Sequence, residues 1–485
     1  MPPTERPQGP NDHHLHRPLR LRDLVLAQIL CVVGSSWVGV AAGLGRAQSI
    51  VWVAAMLLFY LPMAASVICL NRLMPLEGGL YVWARAAFGD LIGFLTAWNL
   101  WVYGIAVTAT ILYAIPTEIS YLIGPSAAWL PDNHRASLAI VAVLVTGLTC
   151  AALRGLELGK WIHNIGGLAI LIVFAGLILL PLAAAAHHAS IFYTPFSIAM
   201  PALDWRTLAL FGQMLFGALC GLEYVSLTAG EARDPARSIG QSVVIASPII
   251  CVMFVLGTAT IVALVPHAHI DFIAPIPQVM RLTLGANGFG NIAAILAILL
   301  VEVRLLGATS FLFTGVTRLP MAAGWNHLVP SWFTRLHPKR RTPTNSILCT
   351  GALVLALILL ASTGVHAQEA YQLLTNASLT HYEVAYLAMF GVPLFGAAAL
   401  RRKLPRWLQW TSAAGFASTL FSLLISAYPF VTVVSARTYA AKILSTIVVS
   451  NLLAVAFYFF RTRGRTAAET ATTDAAGDSR NGVNN

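Results

Sequence analysis

The chain has 485 residues, of which 58% are apolar and only 10% are Asp, Glu, Lys or Arg. A soluble domain carries about 25% charge, so a soluble protein is excluded and lipid is the expected solvent for most of the chain. The formal net charge of +11 does not point to nucleic acid, because the basic residues sit in short loops and tails and form no stripe with interleaved aromatics.

Residues 1–22 are polar and rich in Pro and His, and they read as a tail rather than a signal peptide, since the apolar run that follows is too long for one. Twelve spans are predicted at about 24–45, 50–73, 93–121, 136–153, 161–184, 207–229, 241–264, 291–316, 346–363, 372–398, 409–433 and 439–460, each long enough to cross the hydrocarbon layer. They must be helices, because lipid offers no partner to open backbone. Residues 462–485, rich in Thr, Ala, Asp and Asn, are expected to be a disordered tail. An even number of spans puts both termini on one side. Of the 30 Lys and Arg, 23 lie in tails and loops on the side of the termini, 6 lie in the opposite loops, and Arg304 lies inside a span. The positive-inside rule then predicts a multi-pass protein of the cell membrane with both termini cytoplasmic. The six cysteines fall inside apolar runs without a Cys-x-x-Cys pair, so neither a disulfide framework nor a metal site is expected, and nothing calls for a cofactor.

Two spans contain glycine clusters. The first carries Gly34, Ser35, Ser36, Trp37 and Gly39, and the sixth carries Gly217, Cys220 and Gly221, each cluster opening ten residues into its span. Each glycine costs a helix about 1 kcal/mol relative to alanine, so both spans are predicted to break there. The glycines could instead serve close helix packing. Broken helices at matching places in two halves are the sequence mark of an inverted-repeat transporter with its site at mid-membrane. The carbonyls of one half-helix suit an ammonium or a metal cation, and the N–H groups of the next suit a carboxylate.

Further motifs carry a family resemblance. After span two comes Pro75-Leu76-Glu77-Gly78-Gly79-Leu80-Tyr81, then Phe88-Gly89 and Gly93 through Trp98. Span six continues with Gly221-Leu222-Glu223, Ala229-Gly230-Glu231 and Asp234-Pro235-Ala236-Arg237, and span eight ends in Ser310 through Arg318, followed by Leu328-Val329-Pro330 and Thr342-Pro343. In this order the motifs resemble the amino acid–polyamine–organocation transporters. The resemblance implies an all-α membrane protein with a ten-helix core over residues 23–400, built of two inverted five-helix repeats. Two additional helices over residues 401–461 would lie outside it. It also implies a small-molecule partner, an amino acid or related amine, moved by cation symport or exchange. The sequence departs from the family at Trp37, a large indole where the family has a compact Gly-x-Gly-Ile/Val-Phe, and in lacking a Lys midway along the fifth helix.

Gly34, Ser35, Ser36, Trp37, Gly39, Gly217, Cys220, Gly221 and Glu223 are therefore the candidate substrate site, with Cys31 expected to lie outside the break. Ionisable residues inside a span cost about 2.5–3.5 kcal/mol at its centre on insertion scales. Glu302 and Glu383, the latter near His381, are candidates to carry a coupling proton. Arg304 is expected to snorkel or to meet another helix, pointing about 200° away from Glu302. The hydroxyl pair Thr309 and Ser310 is a candidate sodium site, on the resemblance to sodium-coupled transporters of this architecture. The thirteen His lie mostly in loops, which argues against a histidine-box membrane enzyme. No repeated filter loop or charged ring suggests a channel. A transporter of a non-amine solute remains the alternative.

Overall fold

The structure is a computed structural model that describes residues 20–74, 79–154, 159–186, 193–195, 197–222, 235–284, 288–323, 325, 328–338, 340, 342–396 and 404–481. Among these every regular element is a helix. The first expected span is split into α1 (Leu21–Val32) and α2 (Ser35–Ala42), which meet at an angle of 46°. The second is α3 (Gly45–Leu73), with a π-helical turn at Met56–Tyr60. A short helix, α4 (Leu80–Phe88), leads into α5 (Asp90–Ile123), the third span. The fourth and fifth are α6 (His134–Leu153) and α7 (Gly159–Ala186).

The sixth expected span opens as α8 (Trp205–Gly212), capped by Asp204, whose carboxylate accepts the Thr207 N–H at 2.7 Å. It tightens into a second π turn at Gln213–Ala218. The seventh is α9 (Pro235–Leu264); α10 (Pro275–Leu284) is short, and α11 (Gly288–Ala322) is the eighth. The ninth to twelfth expected spans are α12 (Thr344–Ser362), α13 (Ala367–Phe395), α14 (Arg406–Ile425) and α15 (Ala436–Asn481).

Among the described residues nine helices are long and apolar enough to cross a membrane, and ten if α1 and α2 count as one broken span. Two of the twelve expected spans fall short of that test for different physical reasons. The described part of the sixth ends in its π turn and break. The tenth, α13, is long enough but too polar, with Glu369, Gln372, Asn376, Ser378, Thr380, His381 and Glu383 all buried. Such a helix is tolerated where other protein, not lipid, surrounds it. α15 continues past Thr462 to Asn481, where a disordered tail is predicted from the sequence; alanines at 467, 468, 471, 475 and 476 favour helix there.

Packing brings the two π turns together. Phe59 in α3 lies 5.2 Å, centroid to centroid, from Phe216 in the second π turn, and Phe216 packs edge-on against Tyr386 at 5.0 Å and Tyr382 at 5.7 Å. Tyr103 of α5 stacks on Tyr382 at 3.8 Å. π turns leave the regular hydrogen-bond ladder and recur at functional sites; here an aromatic cluster holds one against the other. α14 joins this assembly through serines. Ser412 bonds Ser66 at 3.2 Å, Ser418 donates to the Leu58 carbonyl at 2.8 Å, and Ser422 donates to the Gly212 carbonyl at 3.0 Å. The eleventh expected helix is thus tied into α3 and α8, although the sequence places it outside the core.

Candidate substrate site

The break in the first span is two residues long. α1 ends at Val32, Val33 and Gly34 are extended, and α2 restarts at Ser35. Such an end leaves carbonyls of the last turn of α1 and N–H groups of the first turn of α2 without partners inside their own helices. The Val33 N–H bonds the Ile29 carbonyl at 2.9 Å, and the Leu30 carbonyl accepts from Arg304 Nη2 at 3.2 Å. In the sixth expected span the described helix stops after its π turn, at Leu219, Cys220 and Gly221, and this stop is the second break; there Gly221 takes φ +112°, a conformation that L side chains rarely adopt. Its N–H donates to the Tyr386 hydroxyl at 3.1 Å.

A cavity of about 90 Å³ lies between the two breaks, bordered by Gly34, Ser35, Ser36 and Trp37 on one side and Gly217, Cys220 and Gly221 on the other. One water needs roughly 10–15 Å³ measured the same way, so the space suits a small solute. Seven of the nine expected substrate-site residues border it. Gly39 does not: α2 is continuous through it, and a Cβ there would lie 2.8 Å from Pro275, so this glycine serves packing against α10. Glu223 lies outside the described residues. Cys31, expected to lie away from the break, lines the cavity as well, because the chain opens immediately after the turn that carries it.

Trp37 joins the two breaks. A Cβ on Gly34 would lie 2.5 Å from Trp37 Cδ1, and a Cβ on Gly217 would lie 2.5 Å from Trp37 Cη2. Both glycines therefore clear room for the same indole. Trp37, with Ser36, Ile273, Tyr371 and Thr375, also lines a second, smaller cavity of about 10 Å³. The ring stands between the two spaces.

The charged groups of the cavity come from α5 and α11. Glu118 is fully buried, borders the cavity, and has no hydrogen-bond partner on either carboxylate oxygen among the described residues. The charges that act on it are Glu302, Arg304 and Asp271. Arg304 borders the same cavity at 5% exposure, so it meets α1 rather than snorkelling, and its Nε has no hydrogen-bond partner among the described residues. An acidic residue inside the third apolar span was a readable signal for Glu118, yet nothing in the sequence tied it to the breaks.

The coupling-ion candidates lie elsewhere. The Thr309 hydroxyl donates to the Leu305 carbonyl of its own helix at 2.7 Å, Ser310 lies one residue on, and neither borders the cavity. Glu302 stands off the cavity, and its Oε1 has no hydrogen-bond partner among the described residues. Glu383 is buried between α13 and α14, where the Ser422 hydroxyl bonds its Oε1.

A family model described as amino acid permease matches residues 24–452. The chain belongs to the amino acid permease family. The permease is 24% identical over 392 residues to an uncharacterized transporter of Legionella pneumophila, covering 79% of this chain and 82% of that one. It is 26% identical over 357 residues to the branched-chain amino acid permease BcaP of Bacillus subtilis, covering 68% and 71%. It is also 23% identical over 406 residues to the methylthioribose transporter of the same organism, covering 81% and 82%. These relatives are transporters, and the long apolar helices of this permease agree with a multi-pass membrane protein that carries small molecules. The resemblance seen in the loop and helix motifs is thus a family membership spanning nearly the whole chain.

Proposed function

We propose that this permease is a secondary active transporter that moves amino acids or related amines across the cell membrane by cation symport or exchange. In this reading it has twelve spans and cytoplasmic termini, and residues 23–400 form a core of two inverted five-helix repeats. The observation that carries the reading is one small cavity bounded by both helix breaks and bordered by a carboxylate that has no hydrogen-bond partner among the described residues. A substrate carboxylate would take the N–H groups of the first turn of α2, at Ser35, Ser36 and Trp37, where the helix end presents partial positive charge. A substrate ammonium would take carbonyls at the end of α1 and the Glu118 carboxylate. Partial charges at the start of α2 bind the substrate carboxylate without burying a full positive charge beside it, which keeps desolvation small. Gly217, Cys220 and Gly221 would complete the pocket, and Trp37 would set its size and close it.

The test is purified protein in liposomes with radiolabelled leucine, arginine and putrescine, under imposed proton or sodium gradients. Gradient-driven accumulation of at least one of them, abolished by its unlabelled form, is the expected result. Flux that only follows the solute's own gradient would mean a channel, and no flux of any of the three overturns the amine reading. The likeness to a methylthioribose transporter supports a second reading, a non-amine solute on the same fold. Under it, methylthioribose is accumulated and the three amines are not.

A further inference from the structure

We propose that Glu383 is a proton-binding site whose occupancy decides whether Ser422 donates a side-chain hydrogen bond to the Gly212 carbonyl at the entrance to the second π turn. This deepens the transport reading by assigning the coupling ion and the part that it moves. The Ser422 hydroxyl lies within bonding distance of two acceptors, the Gly212 carbonyl at 3.0 Å and Glu383 Oε1. A serine hydroxyl has one proton to give, so it serves one acceptor at a time. With Glu383 ionised, the carboxylate takes that proton's bond, because a charged acceptor is the stronger one, and Gly212 receives none from Ser422. With a proton on Glu383, the acid O–H donates to Ser422 Oγ, and Ser422 is free to donate to Gly212. Adding one proton to the carboxylate therefore forms a hydrogen bond on the neighbouring helix.

The surroundings suit such a switch. Glu383 is fully buried, and its Oε2 has no partner among the described residues. The buried titratable side chains on the elements packed around it are Tyr60 of α3, Tyr103, Tyr113 and Glu118 of α5, Glu369, His381, Tyr382 and Tyr386 of α13, and Tyr439 of α15. Ser422 is the one side chain hydrogen-bonded to the carboxyl among the described residues. The contact is also built at close range: a Cβ on Gly212 would lie 2.5 Å from Ile425 Cγ2, so only glycine lets α14 bring Ser422 to that carbonyl.

The bond lies where it matters for the cavity. Gly212 is the last residue before the π turn, and the turn carries Gly217, which borders the cavity. α13 holds this stretch at three places: Asn376 accepts from Gln213, Glu383 reaches Gly212 through Ser422, and Tyr386 accepts the Gly221 N–H. A change at Glu383 alters one of three ties between α13 and the broken helix.

Infrared difference spectra of the protein in liposomes, recorded on a pH jump, test the switch without any substrate. Wild type should show a carboxylic-acid C=O band that titrates, together with a change in the amide I region. Glu383→Gln should lose both. Ser422→Ala should keep the carboxyl band and lose the amide I change, and it carries the test by itself if the Gln variant does not fold. A spectrum in which Glu383→Gln removes no titrating band, or in which Ser422→Ala leaves the amide change intact, overturns the proposal. In parallel, pH-gradient-driven uptake of leucine, arginine or putrescine should be lost in both variants. If wild type transports none of the three while the infrared signals behave as expected, the substrate reading fails and the switch stands.

Discussion

At the residue scale, Trp37 and Glu118 divide the work of the cavity between shape and charge. Trp37→Ala should shift apparent substrate affinity by roughly tenfold or more, since even one methylene of pocket fit is worth about 1–3 kcal/mol. Membrane insertion should be unaffected, because the ring faces a cavity and not lipid; concentration-dependent uptake and membrane yield check the two halves of this expectation. Gly217→Val should instead drive the ring out of its seat, at about 1–3 kcal/mol for overpacking, seen as a lower unfolding temperature together with lost uptake. Glu118→Gln should raise the apparent KM roughly tenfold or more, the loss of a hydrogen bond to a charged group being worth about 1.5–3 kcal/mol; unchanged kinetics would remove Glu118 from the site. Most of this site was legible in the sequence because glycine clusters at membrane depth are a local signal. Gly39 stands apart from the cavity, which the sequence could not show, because spacing does not distinguish a glycine that opens a helix from one that admits a neighbouring proline. The pairing of Glu118 and Arg304 with the breaks was not legible, since it depends on how α5 and α11 pack against α1.

At the scale of elements, α13 explains itself once its surroundings are known. Its polar residues would be too costly in lipid, and inside the bundle they bind the broken helix instead. Asn376 is the densest of these contacts, accepting from Gln213 and donating to the Ser426 carbonyl at 2.7 Å and the Tyr439 hydroxyl at 2.6 Å. Asn376→Leu would orphan buried groups on three neighbours at about 1–3 kcal/mol each. A clear fall in unfolding temperature in detergent is expected, larger than that of a leucine placed on the outward face of α6, such as at exposed Ala139 (Ala139→Leu). The sequence marked Glu383 as an ionisable group inside a span. It gave no sign of Ser422 as its partner, because the helix that carries Ser422 reads as peripheral and serines are common in membrane helices.

For the whole molecule, the span count and the 23-to-6 distribution of basic residues lead to one testable arrangement. A reporter fused after Asn485 should be active inside the cell, and activity only outside would invert the topology. Long spans were legible from hydropathy alone, while the tenth and sixth needed the bundle around them to be understood, one for its polarity and the other for its interruption. The seat of Trp37 has a mechanical consequence at this scale. Its ring touches Gly34 in the break of the first span and Gly217 in the π turn of the sixth, so the spacing between the two is gauged by the width of a single indole. Close-packed contacts change by jumps rather than by stretching, so the helices cannot part gradually around that ring. It must leave its seat first, which makes opening of the pocket and departure of the ring the same event. In a variant where every other one of the 12 tryptophans is phenylalanine, the emission of Trp37 would time each opening as it happens.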